Sequence, residues 1–224
     1  MKDEKKTRLK LLVLSELDGQ ILRVNRLCER LVCSNDGDID AILVSGGLVA
    51  KRAPREYEAL EAVAAAEGDM MALVSRLEMI VCRVLYIPDD NDPPTTRSLV
   101  VAPPTLTQYS ANVFSREQQL VDGVVVMGEA YYFKLVNDAT DPTDGRDLVL
   151  VLRDSAARTQ LPALRSLRLG QFTILELERQ HVDDSWQIAA TTSHQLLPLS
   201  DDSDDEDNAG GSSSSMQWGS TAST

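Results

Sequence analysis

Three short apolar runs in the first 92 residues, each ending in an acidic or glycine turn, constrain this chain most. They are Leu11-Leu-Val-Leu-Ser-Glu-Leu-Asp-Gly19, Ala41-Ile-Leu-Val-Ser-Gly-Gly47 and Arg83-Val-Leu-Tyr-Ile-Pro-Asp-Asp-Asn-Asp92. Runs this short and this continuously apolar read as strands buried on both faces, and helical patterns separate them. Ile21, Val24, Leu27, Cys28, Leu31 and Val32 repeat at the helical period between the first two. Strands alternating with helices give a parallel sheet, whose strand-end turns meet along one edge where ligands and metals bind. Glu16, Asp18, Asp89, Asp90 and Asp92 thereby become neighbours in the expected fold.

The second helical stretch holds two expectations. Pro54 suits a first turn, and the helix through Tyr57, Leu60 and Val63 is interrupted at Gly68-Asp69. Asp69 then caps a third helix over about 70–80, with Met70, Met71 and Met79 in the core. After residue 92 the pattern becomes mainly β. A short strand is expected at Ser98–Val101, local pairing at Tyr109–Phe114, and strands at Gly123–Gly128 and Asp147–Leu152. A hairpin of Gly170–Glu178 and Trp186–Thr192 turns at His181–Ser185. Tyr131-Tyr132-Phe133 is expected between the sheets; exposed, it would mark an interface, since aromatics are only 4% of the chain. The expected fold is therefore α/β (α+β): a two-sheet sandwich flanked by helices.

Composition excludes several classes. A net charge of −13 opposes binding to a nucleic-acid backbone, which needs clustered Lys and Arg. Part of that charge sits in Asp201, Asp202, Asp204, Asp205, Glu206 and Asp207. No apolar stretch reaches the length of a membrane span, and Leu11 to Leu14 is too short for a signal peptide. Cys28, Cys33 and Cys82 lack paired spacing and read as buried thiols of a cytoplasmic protein. The organisation read is an N-terminal flank (1–8), a folded domain (9–199) and an acidic, then Ser/Gly-rich disordered tail (200–224). In that tail Ser203, followed by acids, suits an acid-directed kinase; the alternative is a solubilising tail.

The motifs resemble those of the calcineurin-like metallophosphoesterases. Leu14-Ser-Glu-Leu-Asp-Gly19 stands where that family has Ser-Asp-x-His-Gly, and Val44-Ser-Gly-Gly-Leu-Val49 where it has Gly-Asp-Leu-Val. Tyr86-Ile-Pro-Asp-Asp-Asn-Asp-Pro-Pro94 stands where it has Pro-Gly-Asn-His-Asp-Pro-Pro, and Leu164–Phe172 resembles its closing Ser-Leu-Arg region. The resemblance covers most of residues 9–197 and implies a shortened αββα sandwich. Carried over position by position, the metal-binding Asp becomes Glu16 and its His becomes Asp18. The bridging Asp becomes Gly47, the Asn ligand Asp90, and the catalytic His Asn91. Asp92, which would orient that His from behind, is kept, and a later His ligand falls near Arg153. The segment carrying the last ligands is expected to be missing between Leu152 and Ser166.

Two-metal catalysis needs a bridge that holds two cations a few ångströms apart, and glycine supplies no ligand. No residue is therefore assigned a catalytic role. Glu16, Asp18 and Asp90 are left as an all-oxygen set suited to one Mg²⁺ or Mn²⁺, with Asp92 behind it, or as turn acids solvated independently. The expected function is that of a pseudo-phosphoesterase without cofactor, working as a protein-binding or scaffold module with neither nucleic acid nor membrane as partner. The alternative is a residual metal-dependent phosphoesterase acting on a phosphomonoester or phosphodiester. His181 and His194, the only histidines, read as exposed or locally bonded.

Overall fold

Leu11 to Ser15 is buried without interruption, as a strand covered on both faces must be. In the computed structural model, which describes residues 6–33, 38–50, 59–81, 83–97, 106–153, 171–182 and 184–195, that segment is the core of β1 (Arg8–Ser15). It is followed by α1 (Ile21–Cys33), β2 (Ala41–Ser45), α2 (Leu60–Leu77) and β3 (Val84–Ile87). A 3-10 turn at Pro94–Arg97 leads on towards β4 (Ser110–Asn112). Then come β5 (Glu117–Val121), β6 (Val124–Gly128), α3 (Glu129–Asn137), β7 (Leu148–Leu152), β8 (Gln171–Glu178) and β9 (Gln187–Gln195).

The first sheet has the order β4-β3-β2-β1-β8-β9, and the second β5-β6-β7. β1 to β4 run parallel, with Leu12 beside Ile42 and Ile42 beside Val84, while β8 and β9 are antiparallel additions. The period of two divides each central strand between two cores. Leu12, Leu14, Ile42, Val44 and Tyr86 pack under Val24, Leu27, Met70, Leu73 and Leu77 of the helices. Leu11, Val13, Leu43 and Leu85 pack against Val124, Val126, Leu150 and Leu152 of the second sheet. Each of these side chains contributes about 1.5–3 kcal/mol by burial. Register thus decides which residue meets helix and which meets strand.

Several expectations change. α2 runs unbroken through Gly68 and Asp69, so Asp69 is an interior residue and not a cap. A Cβ on Gly68 would meet nothing within 4 Å, and Ala66, Met70 and Leu73 are buried around it. Packing of the apolar stripe outweighs the glycine's propensity cost of about 1 kcal/mol. Met70 is in the core, but Met71 and Met79 are 46% and 70% exposed. Tyr131, Tyr132 and Phe133 form part of α3, a helix with no buried residue, instead of lying between the sheets. The Tyr109–Phe114 segment does not pair locally: β4 joins β3 in parallel as a sheet edge. β5, unread in the sequence because it is polar (Glu-Gln-Gln-Leu-Val), pairs antiparallel with β6. The expectations at Pro54, Tyr57, Cys82, Ser98–Val101, the stretch 154–170, and the tail with Ser203 lie outside the described residues.

Candidate functional site

The parallel register brings the ends of β1, β2 and β3 to one edge, and backbone hydrogen bonds lace the turns there together. Glu16 N–H donates to Gly46 O (3.3 Å), Asp18 N–H to Gly47 O (2.7 Å) and Gly19 N–H to Leu48 O (3.2 Å). Gly46 N–H donates in turn to Ile87 O (3.0 Å). The weave needs left-handed backbone at Glu16 (φ 51°), Asp18 (φ 47°), Gly19, Gly46 and Gly47. For Glu16 and Asp18 that conformation costs about 1–2 kcal/mol each, offset by the bonds it permits.

Asp92 straps the second turn to the third. It is fully buried, with Oδ1 accepting from Val49 N–H and Oδ2 from Asp89 N–H, both at 2.9 Å. Burial, and then the neighbouring charge of Asp89, push its carboxyl up to about 7, against the pull of backbone N–H groups at Asp89, Val49 and Leu48. Asp89 is itself buried, and its Oδ1 accepts from Asn91 N–H (2.8 Å) and Asp92 N–H (3.2 Å). Both carboxylates are thus engaged by the loop that carries them. Asp90 points the other way: its side chain is 64% exposed and pairs with Arg97 at 2.5 Å. Pro93 and the 3-10 turn fold Arg97 back onto it.

At position 47 a side chain has no room. A Cβ there would lie 2.8 Å from Glu16 Cα and 3.2 Å from Glu16 N, at a φ of +66°. On Gly46 it would lie 2.8 Å from Asp89 Cβ. Across the sandwich, the expected position of a later His ligand holds Arg153, at the end of β7. Its carbonyl accepts from Ser45 Oγ, and its Nε lies 3.2 Å from Glu129 Oε1, with both side chains largely buried.

The residues present therefore do not fit a two-metal centre: the bridging position is blocked by backbone, and a guanidinium sits where a ligand would be. Glu16 and Asp18 share one turn, while Asp90 stands two strands away in its pair with Arg97. Among the described residues no group of three or more His, Cys, Asp or Glu side chains is disposed to hold a metal ion. His181 is exposed in the β8–β9 turn, where its N–H donates to Asp184 Oδ2 (2.8 Å). That turn follows Glu178, the partner of Arg8 at the start of β1, so it lies at the opposite edge. His194 is on β9, and its side chain is outside the description. Sequence reasoning missed Arg97 and Glu129. A pair made across a 3-10 turn, or across a sheet, leaves no local signal.

No family model matches the chain, and no curated protein is significantly similar to it. Among solved structures, one crystal structure aligns over 85% of this chain and 100% of its own, with a TM-score of 0.54 at 12% identity. An archaeal phosphodiesterase (9% identity, 80% of this chain and 99% of its own) and Vps29 of Chaetomium thermophilum (11%, 84% and 100%) align with TM-scores of 0.36 and 0.34. At such identities likeness is a matter of fold, and nothing further rests on the two weaker alignments. The strand order, the helix-covered parallel sheet and the gathered strand ends give the chain the mixed α/β fold, two sheets flanked by helices, that the motif resemblance to the calcineurin-like phosphoesterases implied.

Proposed function

We propose that this chain is a protein-binding module built on a phosphoesterase fold whose hydrolytic edge is closed. The observation that carries the reading is Gly47: the space a bridging ligand would need is filled by the Glu16 backbone at 2.8 Å. A phosphoryl group needs cations or preorganised donors aimed at it. Here the donors at that edge are spent on carbonyls and on the carboxylates of Asp89 and Asp92.

α3 supplies the surface. It begins at Glu129, beside the same edge, and carries Tyr131, Tyr132, Phe133 and Val136, with Phe133 41% and Val136 46% exposed. Tyr132 and Phe133 meet edge to face at 5.9 Å. Aromatics concentrated on a nine-residue helix that is partly exposed, in a chain poor in them, match the composition of interface centres. The reading places the protein in the cytoplasm, supported by the free, half-buried thiol of Cys28. No described helix is long and apolar enough to cross a membrane.

Affinity capture from the native cell with wild type and a Tyr132→Ala/Phe133→Ala variant tests the surface. A partner held by the wild type and lost by a variant of unchanged melting temperature supports it. Equal capture by both removes α3 from the account.

A further inference from the structure

α2 turns an uncharged face away from the protein. Its buried stripe is Ala66, Met70, Leu73, Val74 and Leu77. At about 100° per residue, the positions opposite that stripe are Glu61, Ala64, Gly68, Ala72, Ser75 and Met79. From Ala64 to Met79 this outward line holds no charge, although a helix face in water normally carries them. Leu60, Met71, Met79 and Tyr109 are exposed on or beside it, and Tyr109 is held there by its N–H on Glu78 Oε1 (3.1 Å). Gly68 stands at the centre. A Cβ there would meet nothing within 4 Å, so the fold itself does not need a glycine that costs about 1 kcal/mol in a helix. A second helix crossing at that point does need it, because the missing side chain lets two backbones approach closely.

The charges of α2 say which helix fits. On one flank Glu67 accepts from Thr95 Oγ1, and Glu78 from Thr107 Oγ1 and Tyr109 N–H. Asp69 is on the other flank, about 100° round from the outward direction. Glu61, in the first turn, and Arg76, in the last, have no ion-pair partner among the described residues. Arg76 donates from Nε to Asn25 Oδ1 and from Nη1 to Met79 Sδ (2.9 Å), and its Nη2 makes no bond among the described residues. Gly68 lies midway between Glu61 and Arg76 in sequence. A two-fold axis at Gly68 that sets two copies of α2 antiparallel therefore brings each Glu61 to the partner's Arg76 and each Ala64 to the partner's Ala72. The two helix dipoles then oppose each other.

We infer that the outward face of α2 binds a second copy of this chain, as an antiparallel two-fold helix pair crossing at Gly68. A shallow crossing of about 20° keeps both ends of the helices in contact. The interface is small, below about 1,200 Å² in total, so the dimer is a weak one. Each chain carries a net charge of −13, and the screening length of about 8 Å at physiological salt removes most of that repulsion. α2 covers one face of the first sheet, whereas α3 packs on β6 and β7 of the second. The dimer therefore leaves both α3 surfaces open and does not depend on their role.

Sedimentation velocity of the full chain, from micromolar to millimolar concentration, reads the association. A monomer–dimer equilibrium is expected. Ala72→Glu, at an exposed position of the monomer, sets a charge against the crossing and should weaken the dimer by about tenfold or more, with the melting temperature of dilute protein unchanged. Glu61→Arg should weaken it roughly three- to tenfold, and Glu61→Arg/Arg76→Glu should restore it. Should that exchange lower the melting temperature, Ala72→Glu and cross-linking decide. Under a mild oxidant, a mixture of Ala64→Cys and Ala72→Cys chains should form the mixed disulfide, as antiparallel helices require. The inference is overturned if the chain stays monomeric at millimolar concentration or if Ala72→Glu dimerises like the wild type. Cross-linking of Ala64→Cys to itself as fast as to Ala72→Cys also overturns it, since that means a parallel pair.

Discussion

An aspartate at position 47, where the resembling motif has its bridging ligand, should damage this protein. Gly47→Asp introduces a Cβ at 2.8 Å from Glu16 Cα, so the β1 turn must shift away. Left-handed backbone at φ +66° adds about 1 kcal/mol for any residue other than glycine. The shift also weakens the 2.7 Å bond from Asp18 N–H to Gly47 O, worth about 1 kcal/mol. With the overlap itself, the expected loss is about 3 kcal/mol. For a chain of this size that lowers the melting temperature by roughly 6–12 °C. Gly47→Ala should lose nearly as much, because the first side-chain carbon is the cause. Urea unfolding followed by far-ultraviolet circular dichroism measures both variants, with and without Mn²⁺. A loss below about 1 kcal/mol would refute the reasoning. So would recovery of the aspartate variant, and not the alanine variant, in Mn²⁺.

Gly68→Ala, at an exposed and uncrowded position inside α2, should stabilise by about 1 kcal/mol; a destabilised variant would mean that the helix does not run through residue 68. Asp92 gives an inverted pH dependence. Its folded value near 7 lies above the ordinary 3.8, so between those values the folded state keeps a proton that the unfolded chain releases. Its contribution to stability should therefore fall as pH rises from about 4 to 7, by up to about 4 kcal/mol. The gap between wild type and Asp92→Asn, measured by urea unfolding from pH 4 to 8, should move in favour of the variant as pH rises; a gap constant with pH would contradict this. Glu129→Gln, leaving Arg153 as a largely buried cation, should cost about 2–3 kcal/mol, and adding Arg153→Met should recover part of it. An unchanged unfolding midpoint for Glu129→Gln would argue against a structural role for the pair.

The parallel core was legible because Leu11–Leu14, Ala41–Val44 and Val84–Ile87 are continuously apolar, and the observed strand bounds fall within three residues of those runs. What escaped was decided at long range. Gly68 looked like a break because propensity is local, whereas the buried stripe of Ala66, Met70 and Leu73 is fixed by the sheet beneath it. β5 was invisible because an edge strand needs no alternation, and α3 was misplaced because three adjacent aromatics look buried by type alone. At the edge, the sequence brought the right turns together but not their mode of joining. Asp89 and Asp92 bind backbone N–H groups, and Arg97 and Arg153 meet Asp90 and Glu129 through contacts with no sequence spacing to announce them.

The central claim, an edge closed to two-metal chemistry, is tested most directly by hydrolysis of bis(p-nitrophenyl) phosphate with saturating Mn²⁺, alongside calorimetric titration of the same metal. The account expects no turnover above the metal-only background and no binding heat at millimolar Mn²⁺. Turnover that Asp90→Ala abolishes would contradict it.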